Sequence, residues 1–515
     1  MKWNVGKIAA KQAIAIPDKT AFIFEDKNIT YGHLNEETNR VANYLLSKGL
    51  KKGDRISVLL ANCPEFMAIY LAAAKIGLIF VPLNVRMVAG EVQYQLNDCG
   101  SRLLIFHDAF AGNVETIRSS VQVEEDKFLW LKIGIPGLPE CPEWASDYHH
   151  VIDDKSTDEP TIDMAIDIDD PLAIIYTSGV TGNPKGAVLS HGQTYFKIFQ
   201  IMMYTDMSED DIFLSQLPLF HSGGLFIIAT PVLCRGASFI MRLRFEPEQF
   251  AKDIEKYKPT VIFALTTMWR LILQSKALDN IDVSSVKNVL GGGERTPISL
   301  LEELAQKGLF MQQGFGQTEN SAMMMLPKKD IIKKEGSIGL PGFFTDIWIQ
   351  DFHGERTPPG VIGEIVATGP TVMTGYWNLP EKTRETIVDG VLHTGDLGYM
   401  DEDGYFYIVD RAKDMYRSGG ENVYPAQIEK VLIDHPKIEN VAIVGVSDDR
   451  WGEAGKAFIE CVKGESITKE EVHEFLNGKI AKYKFPAHVK IIDALPMTST
   501  GKIKKAELKI GNLAE

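Results

Sequence analysis

The segment Tyr176-Thr-Ser-Gly-Val-Thr-Gly-Asn-Pro-Lys-Gly186 combines glycines, hydroxyl groups and a lysine in a way that suits phosphate binding. Glycine lets the backbone approach a ligand closely, and exposed amides and hydroxyls donate hydrogen bonds to phosphate oxygens. The hydroxyl donors and the cation are Thr177, Ser178, Thr181 and Lys185. Pro184 and Gly186 flank the lysine, whereas a Walker A loop has glycine before it and Ser or Thr after it. The segment predicts a phosphate-binding loop of another kind, which follows a strand and precedes a helical stretch.

This loop resembles the phosphate loop of the adenylate-forming superfamily, which includes acyl-CoA synthetases, peptide-synthetase adenylation domains and beetle luciferases. Val180 stands where the family usually carries Ser or Thr, which removes one phosphate donor. Other segments resemble the family's motifs, in the family's order, over nearly the whole chain. They are residues 29–34, 75–84, 217–224, 291–295, 314–319, 369–378, 393–396, 410–414, 418–425 and 496–502. In this combination the chain is identified as a member of the superfamily, most similar to bacterial fatty-acyl-CoA synthetases.

The resemblance implies that the carboxylate of an acid attacks the α-phosphorus of ATP. One anion approaches another, so catalysis consists largely of aligning the partners and neutralising charge. Glu319, with Thr177, is expected to hold Mg²⁺ against the phosphates, since Mg²⁺ takes few protein ligands and keeps several waters. Asp396 is expected to accept the ribose hydroxyls, and Arg411 to support the same sugar. Lys502 is expected to be the principal catalytic lysine, which bridges the acid and the α-phosphate.

The remaining nucleotide contacts are likewise implied by the resemblance. The residues expected at ATP are Thr177, Ser178, Gly179, Thr181, Gly182, Lys185, Gly292, Gly293, Glu294, Gly314, Phe315, Gly316, Thr318, Asp396, Arg411 and Lys502. The catalytic set is Lys502, His221, Glu319 and Lys185. Phe315 replaces the tyrosine that is usual in this motif, so the ring for stacking on adenine is kept and the hydroxyl is lost.

A second half-reaction brings a thiol to the acyl carbonyl, and in the family a small C-terminal domain rotates about a hinge to make room for it. Lys413 falls at the hinge position. Ser418, Gly419 and Gly420 are expected to present backbone near the incoming pantetheine of CoA. ATP, Mg²⁺ and CoA are therefore the expected cofactors and co-substrates.

The acid is expected to be fatty or aryl. Amino-acid-activating relatives usually show Phe-Asp where this chain has Phe220-His221, so no anion is offered to a substrate ammonium. The expected pocket residues are His221, Gly291, Gly316, Ala322 and Met323, which are small or apolar apart from the histidine. The motif segments contain no obvious cation for a second carboxylate, which disfavours an o-succinylbenzoate-type diacid without excluding it.

The predicted activity is that of an ATP-dependent acyl-CoA synthetase, an acid–thiol ligase that releases pyrophosphate and AMP. An aryl-acid or o-succinylbenzoate-type CoA ligase is the alternative within the same class. Loading of a carrier protein, luciferase-like oxidation of the adenylate, and a non-catalytic nucleotide-binding homologue are the alternatives of other classes.

Helical and strand patterns alternate through most of the chain, which predicts parallel sheets whose ligands gather beyond the carboxyl ends of strands. The predicted fold is α/β: a large N-terminal domain of two doubly wound sheets with a small β-rich subdomain at about 337–411, then a small mobile α+β C-terminal domain. The predicted domains are residues 1–411 and 412–515, with the hinge near Lys413.

Composition narrows the function further. The net charge of −15 argues against general nucleic-acid binding, which needs a basic face. The five cysteines are scattered and form no CxxC pair, so neither a disulfide framework nor a zinc site is indicated. No signal peptide and no apolar span of about twenty residues is evident, so a cytoplasmic protein is expected. A peripheral membrane contact stays open for a lipid substrate, and the oligomeric state is not indicated.

Overall fold

The computed structural model describes residues 3–121, 128–134, 142–177, 184–292, 296–321, 323–418, 421–448, 452–480, 482–498 and 502–510. The helices are α1 Lys7–Ala15, α2 Tyr31–Ser47, α3 Pro64–Ile76, α4 Ala89–Cys99, α5 Ala111–Ile117, α6 Tyr148–Asp153, α7 His191–Thr205, α8 Thr230–Arg235, α9 Pro247–Tyr257, α10 Thr266–Gln274, α11 Ile298–Gln306, α12 Pro380–Thr386, α13 Pro425–Leu432, α14 Lys469–Leu476 and α15 Lys505–Ile510. A π-helix, Gly223–Ala229, precedes α8.

The strands are β1 Thr20–Phe24, β2 Lys27–Thr30, β3 Arg55–Leu59, β4 Ile79–Pro82, β5 Ser101–His107, β6 Leu129–Ile133, β7 Ser146–Asp147, β8 Pro171–Thr177, β9 Lys185–Ser190, β10 Ile212–Ser215, β11 Ser238–Met241, β12 Val261–Phe263, β13 Asn288–Gly292, β14 Met311–Phe315, β15 Met324–Met325, β16 Leu340–Pro341, β17 Asp346–Gln350, β18 Gly363–Thr368, β19 Gly375–Tyr376, β20 Ile387–Val388, β21 Val391–Met400, β22 Phe406–Arg411, β23 Tyr416–Ser418, β24 Glu421–Val423, β25 Ile438–Asp448, β26 Gly452–Cys461 and β27 His488–Ile491.

The chain divides into two structural units. The first comprises Met1–Glu335, Gly339–Asp346 and Thr368–Leu392. It holds a nine-stranded sheet, ordered β16-β15-β14-β13-β12-β10-β11-β1-β2, and an eight-stranded sheet, ordered β19-β9-β8-β4-β3-β5-β6-β7. The central strands of both sheets run parallel and the strands at the ends of each order include antiparallel pairs. The predicted pair of α/β sheets is confirmed.

Helix α3 shows why this unit folds around a large core. Every residue of α3 except Glu65 is buried, and a helix that is apolar on all sides belongs in an interior. It begins with Pro64 in its first turn and ends at Gly77, which has φ 74° in the left-handed region that glycine adopts without strain. Helices α4 and α5 cover the other face of the eight-stranded sheet through a separate apolar cluster. This arrangement is the doubly wound layering that the sequence predicts.

The second unit comprises Gly336–Ile338, Ile347–Ala367 and His393–Glu515. Antiparallel pairing of β21 with β22 belongs to its β-rich part. Its C-terminal part is built on the sheet β24-β23-β26-β25, with β27 pairing on β26. Helices α13 and α14 pack on this sheet through a small apolar core. The predicted α+β character of the C-terminal region is confirmed, while its mobility and the domain boundary at 411/412 stay predictions.

One local prediction is wrong. The segment after the phosphate loop is not helical: β9 begins at Lys185 and pairs antiparallel with β8, so the loop connects a hairpin. Helix α7 begins only after β9, where the Ser190 hydroxyl accepts a hydrogen bond from the Gln193 amide and caps the helix. In the described part of the chain, no helix combines the length and apolar character needed to cross a bilayer.

Candidate active site

The two ends of the phosphate loop are held together by the hairpin. Thr177 ends β8 and faces Lys185 at the start of β9, and the Thr177 hydroxyl donates to the Lys185 carbonyl oxygen at 3.4 Å. These pairings hold Thr177 and Lys185, two of the predicted phosphate ligands, on neighbouring strands. The loop residues Ser178, Gly179, Thr181 and Gly182 lie outside the described residues.

A cluster of three side chains forms beside this hairpin. Lys185 Nζ lies 4.2 Å from the centre of the Tyr376 ring, and the Tyr376 hydroxyl donates to Glu319 Oε1 at 2.8 Å. Tyr376 is held in place because β19 pairs antiparallel with β9. The Met373 amide donates to the Glu319 carbonyl oxygen at 2.6 Å, which ties the same segment to Glu319. The predicted cation and the predicted magnesium ligand therefore share one neighbour.

Burial shapes the protonation of this cluster. Desolvation lowers the pKa of Lys185, and the charge of Glu319 opposes that shift. Burial raises the pKa of the Tyr376 hydroxyl, and the negative charge of Glu319 adds to it, so the hydroxyl stays a donor. The role of Tyr376 was missed, although its segment, 369–378, carries the family resemblance. Its aromatic ring two residues after Thr374 gave no sign of a carboxylate partner.

The donor atoms around Glu319 decide whether magnesium can bind here. Oε1 accepts the hydrogen bond from Tyr376, and within the described ranges no group of three or more acidic, histidine or cysteine side chains could hold a metal. Mg²⁺ in nucleotide sites is bound by one or two carboxylates together with phosphate oxygens and waters. The second carboxylate oxygen of Glu319 and the Thr177 hydroxyl fit a magnesium ion that arrives with ATP. They do not make a resident metal centre.

The glycines of the motif segment 291–295, which is expected at the nucleotide, have a packing reason of their own. Gly292 on β13 faces Gly314 on β14, and a Cβ at Gly292 would lie 2.7 Å from the Gly314 carbonyl oxygen. A Cβ at Gly291 would overlap the Met311 side chain. The two strands can approach this closely only without a side chain at Gly292. Contact with the nucleotide by Gly292, Gly314, Phe315 and Gly316 stays a prediction, and Gly293 and Glu294 lie outside the described residues.

The predicted acyl-pocket segments approach each other. His221 lies in a turn in which its amide donates to the Pro218 carbonyl oxygen at 3.2 Å, and its ring centre is 4.6 Å from that of Phe220. The next residue, Ser222, has its hydroxyl oxygen 3.5 Å from that of Thr318. The segment that carries His221 thus lies against the segment that carries Glu319.

Met323, a further predicted pocket residue, is buried, and its carbonyl oxygen accepts a hydrogen bond from the Tyr204 hydroxyl of α7 at 3.2 Å. Helix α7 therefore lies along the Met323 segment. Ala322 lies outside the described residues.

Lys197 on α7 is a buried cation that the sequence did not reveal. Its side chain is 1% exposed, and its ammonium has no hydrogen-bond partner among the described residues. Nζ lies 5.9 Å from the centre of the Phe226 ring. Burial lowers the pKa of Lys197 to about 7, opposed by the charge of Glu319. The one available signal was its helical spacing from Thr194 and Ile201 on the buried face of α7.

In the second unit the two residues predicted at the ribose are paired. Arg411 Nε donates to Asp396 Oδ1 at 2.9 Å, and the two residues face each other across β21 and β22. Asp396 is 4% exposed, while the Arg411 side chain is about half exposed at 49%. A hydrogen bond between a guanidinium and a carboxylate is charge-assisted and fixes the orientation of the carboxylate. The structure thus brings Asp396 and Arg411 together, and their contact with ribose stays a prediction.

Of the other predicted residues of this unit, Lys413, Ser418 and Lys502 are described. Lys413 follows β22 in an exposed turn, and Ser418 ends β23. Lys502 is exposed; its amide donates to the Thr498 hydroxyl at 3.0 Å, and its carbonyl oxygen accepts from the Thr498 amide at 2.6 Å. Gly419 and Gly420 lie outside the described residues. The catalytic role of Lys502 and the hinge role of Lys413 stay predictions.

Comparisons with known proteins agree with this geometry. The family model described as AMP-binding enzyme matches residues 9–377, and the model of the AMP-binding enzyme C-terminal domain matches residues 427–502. A feruloyl-CoA synthase from an Amycolatopsis species is 36% identical over 507 residues, which cover 98% of this chain and 98% of that protein. An indoleacetate–CoA ligase from Aromatoleum aromaticum is 32% identical over 494 residues, 96% of this chain and 95% of that protein.

A solved structure of a CoA synthetase is also similar to this chain. The structure of o-succinylbenzoate CoA synthetase from Bacillus subtilis, in complex with the acyl-adenylate intermediate OSB-AMP, matches with a TM-score of 0.86 at 30% identity. The match covers 98% of each chain. With the matching family models, this similarity over the full length confirms the superfamily that the motifs predict. The chain belongs to the AMP-binding enzyme family, the adenylate-forming superfamily.

Proposed function

We propose that this protein is an AMP-forming acid–CoA ligase. It would join a carboxylic acid to the α-phosphate of ATP with release of pyrophosphate, and then transfer the acyl group from the adenylate to the sulfur of CoA with release of AMP. The observation that carries the proposal is the cluster of Lys185, Tyr376 and Glu319 at the ends of the phosphate loop. The full-length similarity to CoA ligases supports it.

The acid is proposed to be aromatic. Feruloyl, indoleacetyl and o-succinylbenzoyl groups, named for the relatives above, all carry an aromatic ring. The motif resemblance to fatty-acyl-CoA synthetases leaves a fatty acid as the alternative. The segments around His221 and Met323 offer a mainly apolar environment that suits either chain.

In the first half-reaction the protein would mainly position groups and neutralise charge. Thr177 and Lys185 would bind phosphate oxygens, and Glu319, held by Tyr376, would bind magnesium together with Thr177. Magnesium would supply charge neutralisation on the phosphates. Lys502 would bridge the attacking carboxylate and the α-phosphate, and His221 would lie beside the acyl carboxylate.

In the second half-reaction CoA must reach the acyl carbonyl. Asp396, already oriented by Arg411, would keep the AMP moiety in place through the ribose hydroxyls. Ser418, Gly419 and Gly420 would lie near the pantetheine, and Lys413 would act as the hinge. Since ATP and CoA are supplied in the cytoplasm, we place the reaction there.

Pyrophosphate release tests the proposal. The purified protein is incubated with ATP and magnesium and with aromatic, fatty or dicarboxylic acids, each with and without CoA. We expect release that depends on the acid, fastest with an aromatic acid, and a thioester only with CoA. Adenylate formation with no thioester would favour carrier-protein loading. Absence of pyrophosphate with every acid would identify a non-catalytic homologue and refute the proposal.

A further inference from the structure

Lys197 occupies an unusual position for a lysine. It lies on the buried face of α7, is 1% exposed, and its ammonium has no hydrogen-bond partner among the described residues. Lysines are almost never fully buried unless they are paired, because an ammonium without partners loses its hydration. The pKa of Lys197 is lowered to about 7 by burial, which reflects this cost. Such a group requires a partner that the described residues do not supply.

The surroundings of Lys197 indicate where that partner would come from. Nζ lies 5.9 Å from the centre of the Phe226 ring, in the π-helix that follows His221. Tyr204, two turns further along α7, donates its hydroxyl to the Met323 carbonyl oxygen. Lys197 thus belongs to a helix packed against both predicted acyl-pocket segments. Single π-helical turns frequently occur at functional sites.

Glu319 is an alternative partner, since its charge opposes the lowering of the Lys197 pKa. No hydrogen bond or ion pair joins the two, and Glu319 Oε1 is instead occupied by the Tyr376 hydroxyl. The proposed function assigns the remaining carboxylate oxygen to magnesium. A ligand in the acyl pocket is therefore the partner that the contacts favour.

We propose that Lys197 binds an oxygen substituent on the acid, a phenolic hydroxyl or a second carboxylate remote from the reacting carboxylate. This inference rests on the proposed acid–CoA ligase activity and narrows its substrate to aromatic acids that carry such an oxygen. A charge-assisted hydrogen bond formed away from water would select those acids strongly over their unsubstituted parents. Lys197 would also be the cation for a second carboxylate, a cation that the motif segments do not contain.

The test compares kcat/KM for two matched pairs of acids, para-hydroxycinnamate with cinnamate and o-succinylbenzoate with β-benzoylpropionate. We expect the wild-type protein to prefer the oxygen-bearing member of at least one pair by about tenfold to a hundredfold. Lys197→Met should abolish that preference and leave kcat/KM for the parent acid within about threefold. Lys252→Met, which changes an exposed lysine of α9, should alter neither value and serves as the matched control.

Folding is checked by Tm, which should stay equal or rise, because Met fills the space of Lys without an unpaired charge. Lys197→Gln replaces it if the first variant is insoluble, with the same criterion. If kcat/KM falls equally for both members of a pair in the variant, or if the wild type prefers both parent acids, the role of Lys197 is refuted. The proposed ligase activity would not be affected by either result. No pyrophosphate from any acid would overturn the ligase activity and this inference with it.

Discussion

At the scale of the residue, the site depends on polar side chains whose partners come from distant parts of the chain. Glu319, the predicted magnesium ligand, is oriented by the hydroxyl of Tyr376, 57 residues later in the sequence. Lys185 lies over the same ring. Tyr376 is therefore a positioning residue for two charged groups of opposite sign.

Tyr376→Phe should slow adenylation by about tenfold or more, since a hydrogen bond to a charged group contributes roughly 1.5–3 kcal/mol. The ring under Lys185 is kept, so only the orientation of Glu319 is lost. Pyrophosphate release should then need a higher magnesium concentration for half-maximal rate, which a purely structural role would not cause. Tyr407→Phe removes a comparable bond, from the Tyr407 hydroxyl to Asp401 at 3.2 Å in the second unit, and should change neither quantity. An unchanged magnesium dependence of Tyr376→Phe would contradict this role.

His191 offers a second test at this scale. Its ring is buried, Nδ1 accepts a hydrogen bond from the Val5 amide at 3.1 Å, and burial lowers its pKa to about 4. Between this value and the ordinary pKa of about 6.5, the unfolded chain binds a proton here that the folded chain does not. Stability should therefore fall as the pH falls through this window, by about 2 kcal/mol at pH 5 from this residue alone.

The measurement is urea unfolding of the wild type and of His191→Gln at pH 7 and pH 5. The variant should lose less stability between the two pH values than the wild type. His150→Gln, at an exposed histidine, should behave like the wild type. Equal losses in the wild type and in His191→Gln would show that His191 does not carry the effect.

At the scale of the element, close strand pairing sets the shape of the site. Gly292 on β13 and Gly314 on β14 meet without side chains between them. Gly292→Ala would bring a methyl group to 2.7 Å from the Gly314 carbonyl oxygen, so the two strands must separate. We expect a loss of about 1–3 kcal/mol in the free energy of unfolding.

Gly112→Ala is the control, because a Cβ at Gly112 in α5 meets no atom of the described residues within 4 Å. In a helix this change should be neutral or stabilising. Both variants are compared by urea unfolding. A Gly292→Ala protein as stable as Gly112→Ala would mean that the strand pair yields easily and that glycine is not required there for packing.

Individual elements also show how far the sequence predicts the structure. Helix α3 was predictable at its bounds, because an apolar run lies between Pro64 and Gly77, each with a plain conformational role. The strand β9 was missed, because the six residues that begin at Lys185 show neither helical nor strand periodicity. Only their pairing with β8 identifies them as a strand. Lys197 was missed because a lysine within a helix usually indicates a solvated face, and only packing shows which face is covered.

The candidate site likewise has features that the sequence predicts and features that it does not. The pairing of Asp396 with Arg411 agrees with the shared role that the motifs imply. Its geometry depends on the register of β21 and β22, which shifts between Leu397 and Gly398 and cannot be derived from the motifs alone. The family resemblance thus names the candidate site residues, while the neighbours that orient them cannot be derived from it.

At the scale of the whole molecule, the proposed function assigns different half-reactions to different variants. Lys502→Ala should nearly abolish adenylation and still convert supplied acyl-adenylate and CoA to thioester, because its charge is needed only at the α-phosphate. Lys413→Pro, which stiffens the predicted hinge, should slow thioester formation much more than adenylation. Single-turnover rates of the two half-reactions, measured separately, check both. Comparable slowing of both steps in either variant would count against its assigned role.

The central claim is that the acid is activated as an acyl-adenylate. It is tested most directly with an aromatic acid labelled with oxygen-18 in its carboxylate, incubated with ATP, magnesium, CoA and the wild-type protein. Attack on the α-phosphorus followed by thioester formation leaves one carboxylate oxygen on the phosphate of AMP. We predict one labelled oxygen in AMP and none in pyrophosphate, measured by mass spectrometry. Thioester formation with unlabelled AMP, or with ADP and labelled phosphate, would contradict it.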